Sequence, residues 1–169
     1  MSATHEGRAA PERVLFVCTG NIFRSLTAEY ALRRELVRAR SATVVHSAGT
    51  EDYPHVVARI VRDYLLEKGL DVRAHLRRTL TRELLAAPNQ LVVAMSTEHQ
   101  RALEAAFAFR APLYTEICGA GAEPLPDVEE AVADYRENPA AVAAHVRATI
   151  DRIIELAPQL AARVTRAGA

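Results

Sequence analysis

Neither sign of charge is in surplus in this chain: 21 basic and 21 acidic side chains cancel. Without a basic surplus there is no case for nucleic acid as a partner, and Arg73, Arg77 and Arg78 read as a solvated face. No apolar run approaches the length of a membrane span, so no membrane partner is expected. Residues 1–8 lack a hydrophobic stretch and do not read as a secretory signal. Cysteine occurs only twice, at Cys18 and Cys118, and without a signal the expectation is free thiols in a reducing cytoplasm. Internal repeats, low-complexity tracts and clusters with metal-ligand spacing are also missing, so neither a metal nor a cofactor is expected.

What remains is an ordinary globular composition, half apolar and a quarter charged in 169 residues. That is enough for one domain with a sizeable core. The expected layout is a disordered leader at 1–12, one domain over 13–165 and a short tail at 166–169. Val14-Leu15-Phe16-Val17 is a buried-strand run that ends on Cys18. Helical spacing then starts near Ser25 and continues to about residue 40. Further strands are read at 43–47, 91–95 and, shorter, 111–114. Further helices are read at 56–68, with Gly69 as C-cap, at 97–107 with Ser96 as N-cap, and at 139–163. Apolar strands alternating with helices predict an α/β, three-layer αβα fold. Its sheet is expected to be four-stranded and parallel, flavodoxin- or Rossmann-like in order 2-1-3-4, with helices on both faces. In such sheets ligands sit beyond the carboxyl ends of the strands, which is where Cys18, Ser47 and Ser96 fall.

The run from Cys18 to Ser25 joins a strand to a helix N-terminus. Its backbone N–H groups and the helix dipole make an anion site, and the field that favours a bound anion also favours a thiolate. Cys18 is therefore a candidate nucleophile beneath a phosphate-sized oxyanion, although a lone cysteine at a strand end can also be a small core hydrophobe. Asn21 is suited to a left-handed conformation inside the loop.

Cys-x5-Arg-Ser after an apolar strand resembles the low-molecular-weight protein tyrosine phosphatase family. Ser47-Ala48-Gly49-Thr50, Gly69-Leu70-Asp71 with His75 and Arg78, Ala94-Met95 and Pro126-Asp127 follow in the family's order, so the resemblance covers roughly residues 13–160. It implies a metal-free phosphatase acting on phosphotyrosine or similar aryl phosphomonoesters through a cysteinyl-phosphate. In that scheme Cys18 is the nucleophile and Arg24 forks two phosphoryl oxygens. Thr19, Gly20, Asn21, Ile22, Phe23, Arg24 and Ser25 cradle the phosphate. Asp127 is the general acid and base, although it also suits the N-cap of the segment that follows. Asn21, Ser25, Ser47 and His75 are implied to form a network supporting the loop. Ile22 and Tyr53 are implied as substrate walls. The partners are then a phosphorylated protein or a small phosphomonoester, met by a monomer or weak dimer.

Some positions depart from the family pattern. Phe23 stands where most members carry a second cysteine able to protect the nucleophile as a disulfide. Val128 and two glutamates follow Asp127, in place of proline and aromatics. Ile22 favours an aromatic leaving group, whereas arginine phosphatases of the family carry threonine there. An arginine phosphatase or small-molecule phosphomonoesterase stays open as an alternative. Arsenate reductase or a non-catalytic phosphate-binding module is a more distant one.

Overall fold

Runs of valine and leucine make the strands of this protein because both faces of its sheet are covered by helices. In the computed structural model, which describes residues 10–166, β1 is Arg13–Cys18, β2 Val44–Gly49 and β3 Gln90–Ala94. The helices are α1 (Arg24–Arg38), α2 (Arg59–Glu67), α3 (Arg82–Leu85), α4 (Thr97–Phe107), α5 (Tyr114–Ile117), α6 (Val128–Ala131) and α7 (Pro139–Arg166). All strand pairs are parallel, in order β2-β1-β3, so β1 is central and Cys18 pairs with Gly49 at its carboxyl end.

Alternation along β1 assigns the layers. Val14, Phe16 and Cys18 pack with Ala28 and Leu32 of α1 and with Ile153 and Leu160 of α7. Leu15 and Val17 pack on the other face with Leu85 of α3 and Leu103 of α4. A further apolar cluster joins Leu26 and Ala31 of α1 to Val61 and Leu65 of α2 and Val146 and Ile150 of α7. Helix ends follow local chemistry. Gly69, at φ 77°, stops the chain after α2, and Ala108 takes the left-handed conformation after α4. Helix α2 begins at Arg59 rather than at 56, because Ala58 is still extended.

The expected four-stranded sheet has three strands. Residues 111–114 contribute one parallel bridge, between Ala94 and Leu113, with the Ala94 N–H donating to the Pro112 carbonyl at 2.9 Å. Pro112 has no N–H to return. Tyr114 already opens α5, its hydroxyl donating to the Ile153 carbonyl on α7 at 2.7 Å. The ladder therefore cannot extend.

The leader expected at 1–12 falls outside the described residues as far as residue 9. Residues 10–12 are tied to the sheet: the Glu12 N–H donates to the Asn89 carbonyl at 3.0 Å. Pro11 accepts from the Thr43 hydroxyl at 3.2 Å. Of the expected tail, Arg166 closes α7, and 167–169 lie outside the described residues.

Candidate active site

Local geometry makes the turn after β1 a concave loop. Four successive carbonyls, those of Cys18, Thr19, Gly20 and Asn21, accept hydrogen bonds from groups outside the loop. Their donors are Thr50 N–H at 2.8 Å, Glu51 N–H at 3.1 Å, Arg77 Nε at 3.3 Å and His75 Nε2 at 2.9 Å. In a trans peptide the next N–H points opposite to the carbonyl. Carbonyls held outward thus turn the N–H groups of residues 19–22 inward, toward the N-terminus of α1. Asn21 supplies the left-handed residue that the bend needs, at φ 56°. Gly49 supplies the clearance: a Cβ there would stand 2.5 Å from the Thr19 carbonyl oxygen and 3.0 Å from the Asn21 nitrogen.

Two networks hold the loop. On one side the Asn21 amide donates to Ser25 Oγ at 3.0 Å and Ser47 Oγ at 2.7 Å, and its oxygen accepts from the Arg78 N–H at 2.8 Å. Ser47 donates in turn to the buried carboxylate of Glu29, which pairs with Arg33 on the next helical turn. His75 must donate to a carbonyl, so Nε2 carries the proton. Burial lowers its pKa despite that bond. On the other side Thr19 Oγ1 lies 2.9 Å from Nε2 of His99, whose Nδ1 lies 3.0 Å from Ser96 Oγ. His99 is fully buried. Desolvation, aided by the charge of Arg24, pushes it down to about 3.

Within the loop Cys18 Sγ is 2.9 Å from Ser25 Oγ. Arg24 is buried, with one terminal nitrogen donating to Asp127 at 2.6 Å and the other to the Leu125 carbonyl at 2.9 Å. Asp127 caps α6 by accepting from the Val128 N–H at 2.8 Å. Its segment is held by Leu125 N–H to the Met95 carbonyl at 3.0 Å and by His145 Nε2 to the Pro126 carbonyl at 3.1 Å. Nearby, burial and hydrogen bonding to Glu130 push Glu98 up. A cavity of about 370 Å³ opens over these groups, and its lining includes Cys18, Ile22, Arg24, His55, Asp127 and Tyr135.

The structure thus brings Cys18, Arg24 and Asp127 to one cavity, backed by Asn21, Ser25, Ser47 and His75. It does not bring Tyr53 there: that ring is 63% exposed, edge-on to His55 with centroids 5.1 Å apart. His55, packed over Gly20, and Tyr135 line the cavity instead. Sequence reasoning missed Glu29, His99 and Tyr135. The first two had weak signals, a Glu four residues after Ser25 and a His three residues after Ser96. Cys118 remains a free thiol that burial pushes up to about 12. Among the described residues no group of three or more His, Cys, Asp or Glu is placed to hold a metal, and no helix is long and apolar enough to cross a membrane.

Comparison with known proteins adds a lineage to this geometry. The pattern of the low molecular weight phosphotyrosine protein phosphatase family matches residues 13–168. A low molecular weight protein-tyrosine-phosphatase Ptp of Acinetobacter johnsonii is 31% identical over 99 residues, which span 58% of this chain and 66% of that protein. A low molecular weight protein tyrosine phosphatase from Bacillus subtilis superposes with a TM-score of 0.73 at 25% identity, covering 91% of this chain and 97% of that one. The YwlE arginine phosphatase from Geobacillus stearothermophilus superposes with a TM-score of 0.72 at 24% identity, over 92% and 94% of the two chains.

Proposed function

The chain belongs to the low molecular weight phosphotyrosine protein phosphatase family, and from that premise we propose that it hydrolyses aryl phosphomonoesters, phosphotyrosine in proteins above all, by way of a cysteinyl-phosphate. One observation carries the reading. A thiol at the end of the central strand sits 2.9 Å from a helix-start hydroxyl, in a loop whose carbonyls of residues 18–21 are all bonded to groups outside it. A guanidinium and a carboxylate in contact lie beside it.

In the first step the Cys18 thiolate attacks phosphorus in line, the S–P bond forms and the P–O bond to the leaving group breaks. The inward N–H groups and the Arg24 fork hold the equatorial oxygens. To do so, Arg24 exchanges Asp127 and the Leu125 carbonyl for phosphoryl oxygens. That exchange frees the Asp127 carboxylate, which takes a proton from solvent and passes it to the leaving oxygen. In the second step water attacks phosphorus while Asp127 takes its proton, the new P–O bond forms as the S–P bond breaks, inorganic phosphate is released, and the Ser25 hydroxyl stabilises the departing thiolate. The networks through Asn21 and His99 are positioning devices in this scheme: they fix the side chains of Asn21, Ser25 and Thr19 that frame the loop.

Ile22 in the cavity lining supports an aromatic leaving group. A thiolate nucleophile without a protective partner works best in a reducing compartment, which supports a cytoplasmic setting. Every group in the scheme comes from one chain, so a monomer suffices. Phosphoarginine is the second reading, favoured by Glu51 and Glu129 in the lining, which suit a guanidinium. The test is hydrolysis of p-nitrophenyl phosphate in EDTA, followed by phosphotyrosine, phosphoarginine and phosphoserine side by side. Turnover of the aryl esters that Cys18→Ser abolishes is the expected result. Full activity in that variant would refute the mechanism, and a preference for phosphoarginine would install the second reading.

A further inference from the structure

The cavity over Cys18 continues beyond the phosphate loop into apolar ground. Phe23, Ile60, Val61, Val142 and Val146 line it together with the loop itself. Phe23 is the last loop residue before Arg24, and it is 8% exposed. It joins Val61, Val146 and the partly buried Ile60 and Val142 in the apolar cluster between α1, α2 and α7. The core on this side of the molecule is therefore continuous with the floor of the site. Val61 and Val146, only 3% and 2% exposed, form the packed back of this side of the cavity. Tyr135, from the segment between α6 and α7, also lines the cavity. A volume of about 370 Å³ lies in the range of small-molecule sites, and exceeds what a phosphoryl group on a bare phenyl ring fills.

Resting on the phosphatase reading, we propose that the slot between α2 and α7 is a second subsite that takes an apolar extension of the aryl leaving group. The preferred substrates are then aryl phosphates whose ring carries a second fused ring or a bulky apolar substituent. Phe23 is the residue that makes the slot reachable. A ring at that position joins the loop to the α2–α7 core, where a small polar side chain would interrupt the apolar surface.

The experiment compares 2-naphthyl phosphate with phenyl phosphate, whose leaving groups have similar basicity. The expected ratio of kcat/KM is about tenfold in favour of naphthyl, which at about 25 cal/mol per Å² corresponds to burying roughly 55 Å² of the added ring. Binding of 2-naphthylmethylphosphonate and benzylphosphonate to Cys18→Ser, measured by calorimetry, should show the same ratio without turnover. Val142→Phe fills the slot from α7 and should bring both ratios to about one. Ala58→Phe does so from the exposed N-cap of α2, where folding is not at stake. A ratio near one in an active wild-type protein overturns the subsite. So does a tenfold ratio that survives in the folded variants. Absence of all turnover by the wild type overturns the phosphatase reading instead, and phosphonate binding then decides the subsite alone.

Discussion

Acid should loosen this protein most through one histidine. His99 is fully buried between Thr19 and Ser96, and its folded pKa lies near 3 against an ordinary value of 6.5. Between those two values the unfolded chain binds a proton that the folded one refuses, so stability falls as pH falls. The two titrations give a loss of about 0.2 kcal/mol at pH 7 and about 2 kcal/mol at pH 5, relative to a histidine that never charges. His46 and His75, which burial also lowers, contribute slopes of their own, so the informative quantity is a difference. Wild type and His99→Gln are to be unfolded in urea at intervals from pH 7.5 to 5. The variant loses the buried ring and starts less stable, but it carries no proton at this position in either state. Its deficit should therefore shrink by about 2 kcal/mol between pH 7 and 5. A deficit that stays constant over that range would refute the assignment of a neutral, desolvated ring clamped between two hydroxyls.

Two further outcomes follow from the site. Asp127→Ala should lower turnover of esters with poor leaving groups, such as phenyl phosphate, by about 10²–10⁴, and that of p-nitrophenyl phosphate far less; equal rates for variant and wild type on phenyl phosphate would remove it as proton donor. Gly49→Ala places a methyl group 2.5 Å from the Thr19 carbonyl oxygen. It should cost about 1–3 kcal/mol in a thermal or urea melt, with a fall in kcat/KM as the loop is displaced; unchanged stability and activity together would show that the loop yields freely.

What could be read ahead of the structure was what lies close along the chain. Cys18 and Ser25 are seven residues apart, the strand-to-helix transition between them is written in adjacent residues, and the elements bounding the loop carry strong periodicity. Contacts made by distant residues were harder to see. Thr19 and His99 are 80 residues apart, and nothing near His99 in sequence says that its ring will end in the core. Glu29 lies in a helical run whose sequence gives no sign that it is buried; the fold sets Ser47 and Arg33 around it. Tyr53 was placed by resemblance, and the intervening loop sets it outside the cavity lining, where His55 stands instead. The fourth strand failed for a reason already present in the sequence: Pro112 withholds a donor, and Tyr114 is drawn into a helix by its bond to α7.

The two halves of the proposed chemistry sit on supports of very different firmness. Cys18 ends a strand hydrogen-bonded to neighbours on both sides, and freeing it means parting the sheet. Asp127 sits at the head of α6, a four-residue helix with no buried residue of its own. Amide protons around the nucleophile should thus exchange only when the whole molecule unfolds, while those of α6 exchange through small local openings. The cradle should keep its shape over the lifetime of the fold, while α6 opens on the shorter timescale of a surface segment. In the proposed chemistry, product release would then require no movement of the loop.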